Sequence, residues 1–91
     1  MKATGAGMNE ILTERFLLTG QVGASHFPPW IQRHGTKLGL TDLSIAASNT
    51  GLRIRATGPK EMLDALGLAC SLGPAGVQVD SVLQQPDDNC T

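Results

Sequence analysis

Apolar and polar residues alternate along four stretches of this chain, and between them two stretches place apolar residues every three or four positions. Phe16, Leu18, Gly20 and Val22 alternate with Arg15, Leu17, Thr19 and Gln21, which predicts a strand that buries the first set. Pro28 and Pro29 then stand where the first turn of a helix accepts proline, because the amides they lack have no partner within the helix. Trp30, Ile31, His34 and Leu38 follow at helical spacing, with Gly39 placed as a left-handed cap. Leu43, Ile45 and Ala47 lead into Asn49-Thr50-Gly51, and Leu52, Ile54 and Ala56 lead away, so a hairpin is predicted there. Gly58-Pro59 breaks that strand, and Lys60 to Leu72 puts Met62, Leu63, Leu66, Ala69 and Cys70 on one helical face before Gly73-Pro74. Val77, Val79, Ser81 and Leu83, alternating with Gln78, Asp80 and Val82, predict a fourth strand.

The order strand-helix-strand-strand-helix-strand predicts an α+β domain: a ferredoxin-like βαββαβ sandwich, with a four-stranded antiparallel sheet and two helices on one face. The domain is expected to occupy residues 14–83. Residues 1–13 and 84–91 show no sustained period and are expected to be a flexible N-terminal segment and a flexible C-terminal tail.

A chain of 91 residues holds one modest core, and with 41% hydrophobic but only 3% aromatic residues that core must be mostly aliphatic. The formal net charge of -1 supplies no general attraction to nucleic acid or anionic lipid, so neither partner is expected. No apolar run approaches the roughly 20 residues that span a bilayer, and a cytoplasmic monomer is expected. Cys70 and Cys90 are too far apart for a metal-ligand motif, and Cys70 reads as a small buried hydrophobe rather than a disulfide partner. No metal or organic cofactor is expected.

The run Gly20-Gln21-Val22-Gly23-Ala24-Ser25-His26-Phe27-Pro28 resembles the signature of the acylphosphatase family, roughly G-x-V-Q-G-V-x-F-R, with Gly20, Val22 and Phe27 on signature positions. Further matches keep the same register: Leu38-Gly39-Leu40 at the helix end, Leu52, Ile54, Ala56 and Gly58-Pro59 at the third strand and second helix start, and Gly73-Pro74 with Val77 before the last strand. The chain is also similar to the N-terminal module of a hydrogenase-maturation carbamoyl transferase. The resemblance implies the same ferredoxin-like fold. It further implies an ancestral site in which an arginine and the loop amides grip phosphoryl oxygens while an asparagine positions the attacking water. In this register Pro28 stands at the arginine and Ala46 at the asparagine.

Phosphoryl transfer depends on neutralising charge, and one placed arginine is worth on the order of 10³ to 10⁵ in rate. Pro28 brings no charge and no amide, and Ala46 cannot hydrogen-bond water through its side chain. The expectation is therefore an acylphosphatase-like domain without hydrolase activity, a binding or scaffolding module for a small anion or a protein. The alternative is an acylphosphatase working through a rearranged site. Gly23, Ala24, Ser25, His26 and Phe27 are the candidate anion loop, with Gly23 expected to permit an unusual backbone angle and His26 and Asn49 the candidate substitutes for the lost groups. Arg33 is expected to point away from the loop. The loop lacks the lysine and spacing of a nucleotide-binding turn. Arg53 and Arg55 should share the uncovered sheet face, partnered by Asp80 or Glu14; with no aromatic beside them, they do not suggest RNA binding. Trp30 with His34 reads as a core edge, and Glu61 with Asp64 as acids favoured by a helix N-terminus.

Overall fold

The alternations of the sequence close into one sheet. The structure, a computed structural model, describes residues 11–87: β1 (Ile11–Gln21), α1 (Phe27–Lys37), β2 (Thr41–Ser48), β3 (Gly51–Pro59), α2 (Lys60–Leu72) and β4 (Gln78–Pro86). The strands pair antiparallel in the order β2-β3-β1-β4. This is the expected ferredoxin-like βαββαβ arrangement.

Two boundaries fall further out than the periodicity placed them. Ile11, Leu12 and Thr13 belong to β1, opposite Pro59, Gly58 and Thr57, and Gln84 to Pro86 belong to β4, where Pro86 faces Glu14. A central strand with a neighbour on each side extends as far as either neighbour can hydrogen-bond it, whatever its side-chain pattern. Asp87 continues the contact, its amide donating to Thr13 O at 2.9 Å. The rest of both expected flexible segments, and Cys90, lie outside the described residues. Gly58 and Pro59, read as a strand breaker, instead complete β3, and Pro59 (φ -63°, ψ 145°) caps α2 in extended backbone.

The core lies between the helices and one sheet face. Phe16, Leu18, Leu52, Ile54 and Ala56 from the strands meet Phe27 and Ile31 of α1 and Leu63, Leu66 and Cys70 of α2, all buried. Fully burying each of the larger of these side chains is worth about 1.5–3 kcal/mol. At Gly67 a Cβ would lie 2.9 Å from Gln84 Oε1 and 3.3 Å from Phe16 Cε2, so α2 comes close to the sheet there.

Helix α1 ends as its sequence predicts. Gly39 takes φ +81°, the Gly39 amide donates to Thr36 O and the Leu40 amide to Gly35 O, a pattern that satisfies two carbonyls at the end of the helix. The fourth strand departs from simple alternation. Gly20 faces Val79 but Thr19 faces Ser81, so Asp80 is an extra residue and a β-bulge reverses the facing beyond it. Val82 therefore turns to the helices, and Leu83 stands 51% exposed on the other face. Gly20, at φ +120°, makes room for the bulge: a Cβ there would lie 2.6 Å from Asp80 N.

Candidate functional site

The loop between β1 and α1 holds the residues that the family signature marks. Val22 and Phe27 anchor it, both buried, and Ala24 packs partly against the core. Phe27 thus belongs to the interior, and its amide donates to Ala24 O at 3.1 Å, which removes it from the set of free loop donors. Pro28 and Pro29 have no amide to give, and the next amide, Trp30, donates to His26 O at 3.3 Å. The first turn of α1 therefore presents no free N–H, and the usual attraction of a helix N-terminus for anions is largely spent. Among the described residues, the amides of Gly23, Ala24, Ser25 and His26 donate to no backbone carbonyl outside the strands. Four donors remain, with no cation beside them in the loop sequence. Gly23 is not in the left-handed region, and a Cβ there would meet nothing within 4 Å, so the unusual angle expected of it is absent.

His26 has a partner of its own. Its Nε2–H donates to Ala75 O at 2.9 Å, and the ring lies against Gly76, joining the β1–α1 loop to the loop before β4. Asn49 is exposed in the β2–β3 turn and Arg33 exposed on α1. Ala46, which the resemblance is expected to set at the asparagine, pairs with Arg53 in β3 and lies on the sheet face away from the helices.

That open face is where sequence reasoning was least complete. Arg15 and Arg55 stand opposite each other on β1 and β3, a repulsive pair unless bridged. Asp87 bridges it: Arg55 Nε donates to Oδ2 at 2.6 Å and Arg15 Nε lies 3.5 Å from Oδ1, while the Asp87 side chain is only 3% exposed. The expected partners, Asp80 and Glu14, form no ion pair or side-chain hydrogen bond with Arg53 or Arg55. Asp80 sits at the bulge, and Glu14 turns to the helix side, where Gln84 Nε2 donates to it at 2.6 Å and Lys60 Nζ lies 3.9 Å away. Gln84 also donates to Asp64 at 2.8 Å, and Lys60 to Asp64 at 3.2 Å. The Gln84 bond, then Lys60, holds the Asp64 carboxyl below its ordinary range, while the bond to Asp64 and the charge of Glu14 raise Lys60. Glu61 is exposed in the first turn of α2. Cys70, wholly buried, has its thiol pushed up to about 12 by desolvation. Trp30 stacks on His34 with ring centroids 4.0 Å apart, and His34 Nδ1–H donates to Trp30 O, so both are used locally.

Among the described residues, no group of three His, Cys, Asp or Glu side chains could hold a metal, and no helix is long and apolar enough to cross a membrane. No family model matches the chain. An acylphosphatase of Vibrio parahaemolyticus is 33% identical over 72 residues, covering 79% of this chain and 80% of that protein. An acylphosphatase of Coxiella burnetii superposes with a TM-score of 0.79 at 18% identity, over 96% of this chain and 88% of that one. Full-length HypF, solved with phosphate and nucleotide bound, contains a region that superposes with a TM-score of 0.78 at 18% identity; it covers 87% of this chain and 10% of HypF. At these identities the two structures speak for the fold, and the Vibrio relative for descent.

Proposed function

The chain belongs to the acylphosphatase family, and on that premise we propose that it is a member without hydrolase activity, serving as a binding or scaffolding module for a small anion or a protein partner. The first turn of α1 carries this reading. Where the family signature places a guanidinium stands Pro28, flanked by Pro29, and the neighbouring amides of Phe27 and Trp30 are already bonded to Ala24 O and His26 O. An acyl phosphate held by the remaining loop amides would meet four neutral donors, enough to attract an anion but without a positive charge to offset what builds on the equatorial oxygens. Ala46 offers no carboxamide to orient water.

The alternative, hydrolysis through a rearranged site, needs His26 or Asn49 to replace those groups. His26 Nε2 is held on Ala75 O, and Asn49 lies in the exposed hairpin turn, so neither position favours it. The test is hydrolysis of benzoyl phosphate by the purified chain, followed by loss of its ultraviolet absorbance. The expected rate equals the spontaneous one. Turnover clearly above it, abolished by His26→Ala or Asn49→Ala, would overturn the reading.

A further inference from the structure

We propose that the open face of the sheet is a binding site for an amphiphilic organic anion, a carboxylate on a hydrocarbon body, with Arg53 as the charged contact and Leu17 and Leu83 as the apolar floor. The pairing register sets out the site. Arg53 stands between Ala46 on β2 and Leu17 on β1, and Leu17 stands beside Leu83 on β4, so one row across the sheet runs from a cation into apolar surface. The adjacent row carries Arg55 and Arg15 side by side. These six side chains line a hollow of ≈ 360 Å³, within the range of about 300–1,000 Å³ usual for small-molecule sites.

Charge decides the class of occupant. Three guanidiniums share this face, and the one described carboxylate among them, Asp87, is already held between Arg15 and Arg55. Asp87 shows what the face accepts, since its carboxylate is almost fully removed from water by two arginines on the sheet. Arg53 has no ion-pair partner among the described residues, and none of the three arginines donates through its terminal amino groups to an acceptor among them. An inorganic anion would leave Leu83, more than half exposed, without any gain; a neutral hydrocarbon would leave Arg53 unanswered. A ligand that joins both parts uses the whole row. This site is separate from the β1–α1 loop and does not depend on the loss of hydrolysis: the benzoyl phosphate assay reads the loop, and the experiment below reads the sheet.

The experiment is a titration of the full ¹⁵N-labelled chain with sodium octanoate, followed by amide shifts, with acetate and inorganic phosphate as comparisons. Expected are saturable shifts centred on residues 15–17, 53–55 and 83–85, absent with acetate and phosphate at equal concentration. Arg53→Gln and Leu83→Ser, both at exposed positions, should each raise the octanoate Kd roughly fivefold, in keeping with a partly solvated contact, while the spectrum keeps its dispersion. Octanoate shifts confined to residues 23–26, no saturable shift, equal shifts of the sheet residues with phosphate, or an unchanged Kd in Arg53→Gln would each overturn the proposal.

Discussion

Replacing Asp87 by asparagine keeps the shape of the side chain and removes the charge that joins Arg15 to Arg55. The Arg55 contact is short, 2.6 Å, and the Arg15 contact longer, 3.5 Å; the Asp87 side chain is 3% exposed, but the Arg55 and Arg15 side chains are 49% and 57% exposed. A fully buried pair loses about 3–5 kcal/mol when one partner is removed, and a surface pair about 0.2–1 kcal/mol. Half-exposed arginines on a buried acid fall between, at about 1.5 kcal/mol. The two arginines, left facing each other across β1 and β3, add about 0.5 kcal/mol of repulsion. The expected loss is therefore about 2 kcal/mol, read by equilibrium urea unfolding. At an m-value of about 1 kcal/mol/M, typical of small domains, the midpoint falls by about 2 M. Because the Debye length shrinks from about 10 Å at 0.1 M salt to about 3 Å at 1 M, the difference between the proteins should narrow substantially in 1 M sodium chloride. A loss under about 0.5 kcal/mol at 0.1 M, or one of full size that ignores salt, would refute the bridge as the organising contact of this face.

Two more outcomes test the packing under the helices. Gly67→Ala gains about 1 kcal/mol of helix propensity but drives a methyl to 3.3 Å from buried Phe16 and 2.9 Å from Gln84, whose amide is already committed to Glu14 and Asp64. Overpacking costs about 1–3 kcal/mol, so a net loss of about 1 kcal/mol and a melting point lower by roughly 4–8 °C are expected in calorimetry, and a rise in melting point would refute the close approach. Asp64 titrates below its ordinary 3.8 in the folded chain, so its contribution is present above pH 3.8 and is lost as pH falls through the lower folded value. Lys60 carries the opposite sign: raised above 10.5, it contributes fully below that pH and loses the contribution as pH climbs through its folded value. Gln84→Leu removes the hydrogen bond that does most to lower the Asp64 carboxyl; a carbon-detected NMR titration should then place it nearer 3.8, and an unmoved midpoint would count against the network.

The elements were legible in the sequence because each buries a face whose period the residues write out directly, as in Leu52, Ile54 and Ala56 of β3 or Leu63, Leu66 and Cys70 of α2. The facing of β4 was not legible in the same way, because a bulge inserts one residue, Asp80, and alternation cannot register an insertion whose cause lies on another strand, at Gly20. The partner of Arg55 was missed for a related reason. Asp87 lies in a stretch with no period of its own, and only the pairing of β4 with β1 carries it to the arginines. A sign was available: two arginines at i and i+2 on a strand call for an acid, and the chain places Asp87 just beyond the last strand. At the candidate loop, Pro28 and Ala46 could be read from the sequence as having neither a guanidinium nor a carboxamide, but the bonding of the Phe27, Trp30 and His26 donors required geometry.

The residues that carry the family resemblance are the ones with packing or backbone duties. Gly20 opens space for the bulge, Val22 and Phe27 are buried anchors, and Gly39 takes the left-handed turn that ends α1. Gly58 lies beneath Leu40, where a Cβ would run into the leucine side chain, and Pro59 sets the extended backbone that opens α2. Each would be needed by any chain folding this way, whether or not it cleaved a phosphate. Pro28 is half-buried in the first turn and Ala46 is exposed on the sheet; neither fills a core position. The residues that match the family therefore speak for the fold and do not by themselves speak for the chemistry. Descent read from them predicts the sheet and its two helices, whereas activity has to be argued from the site itself.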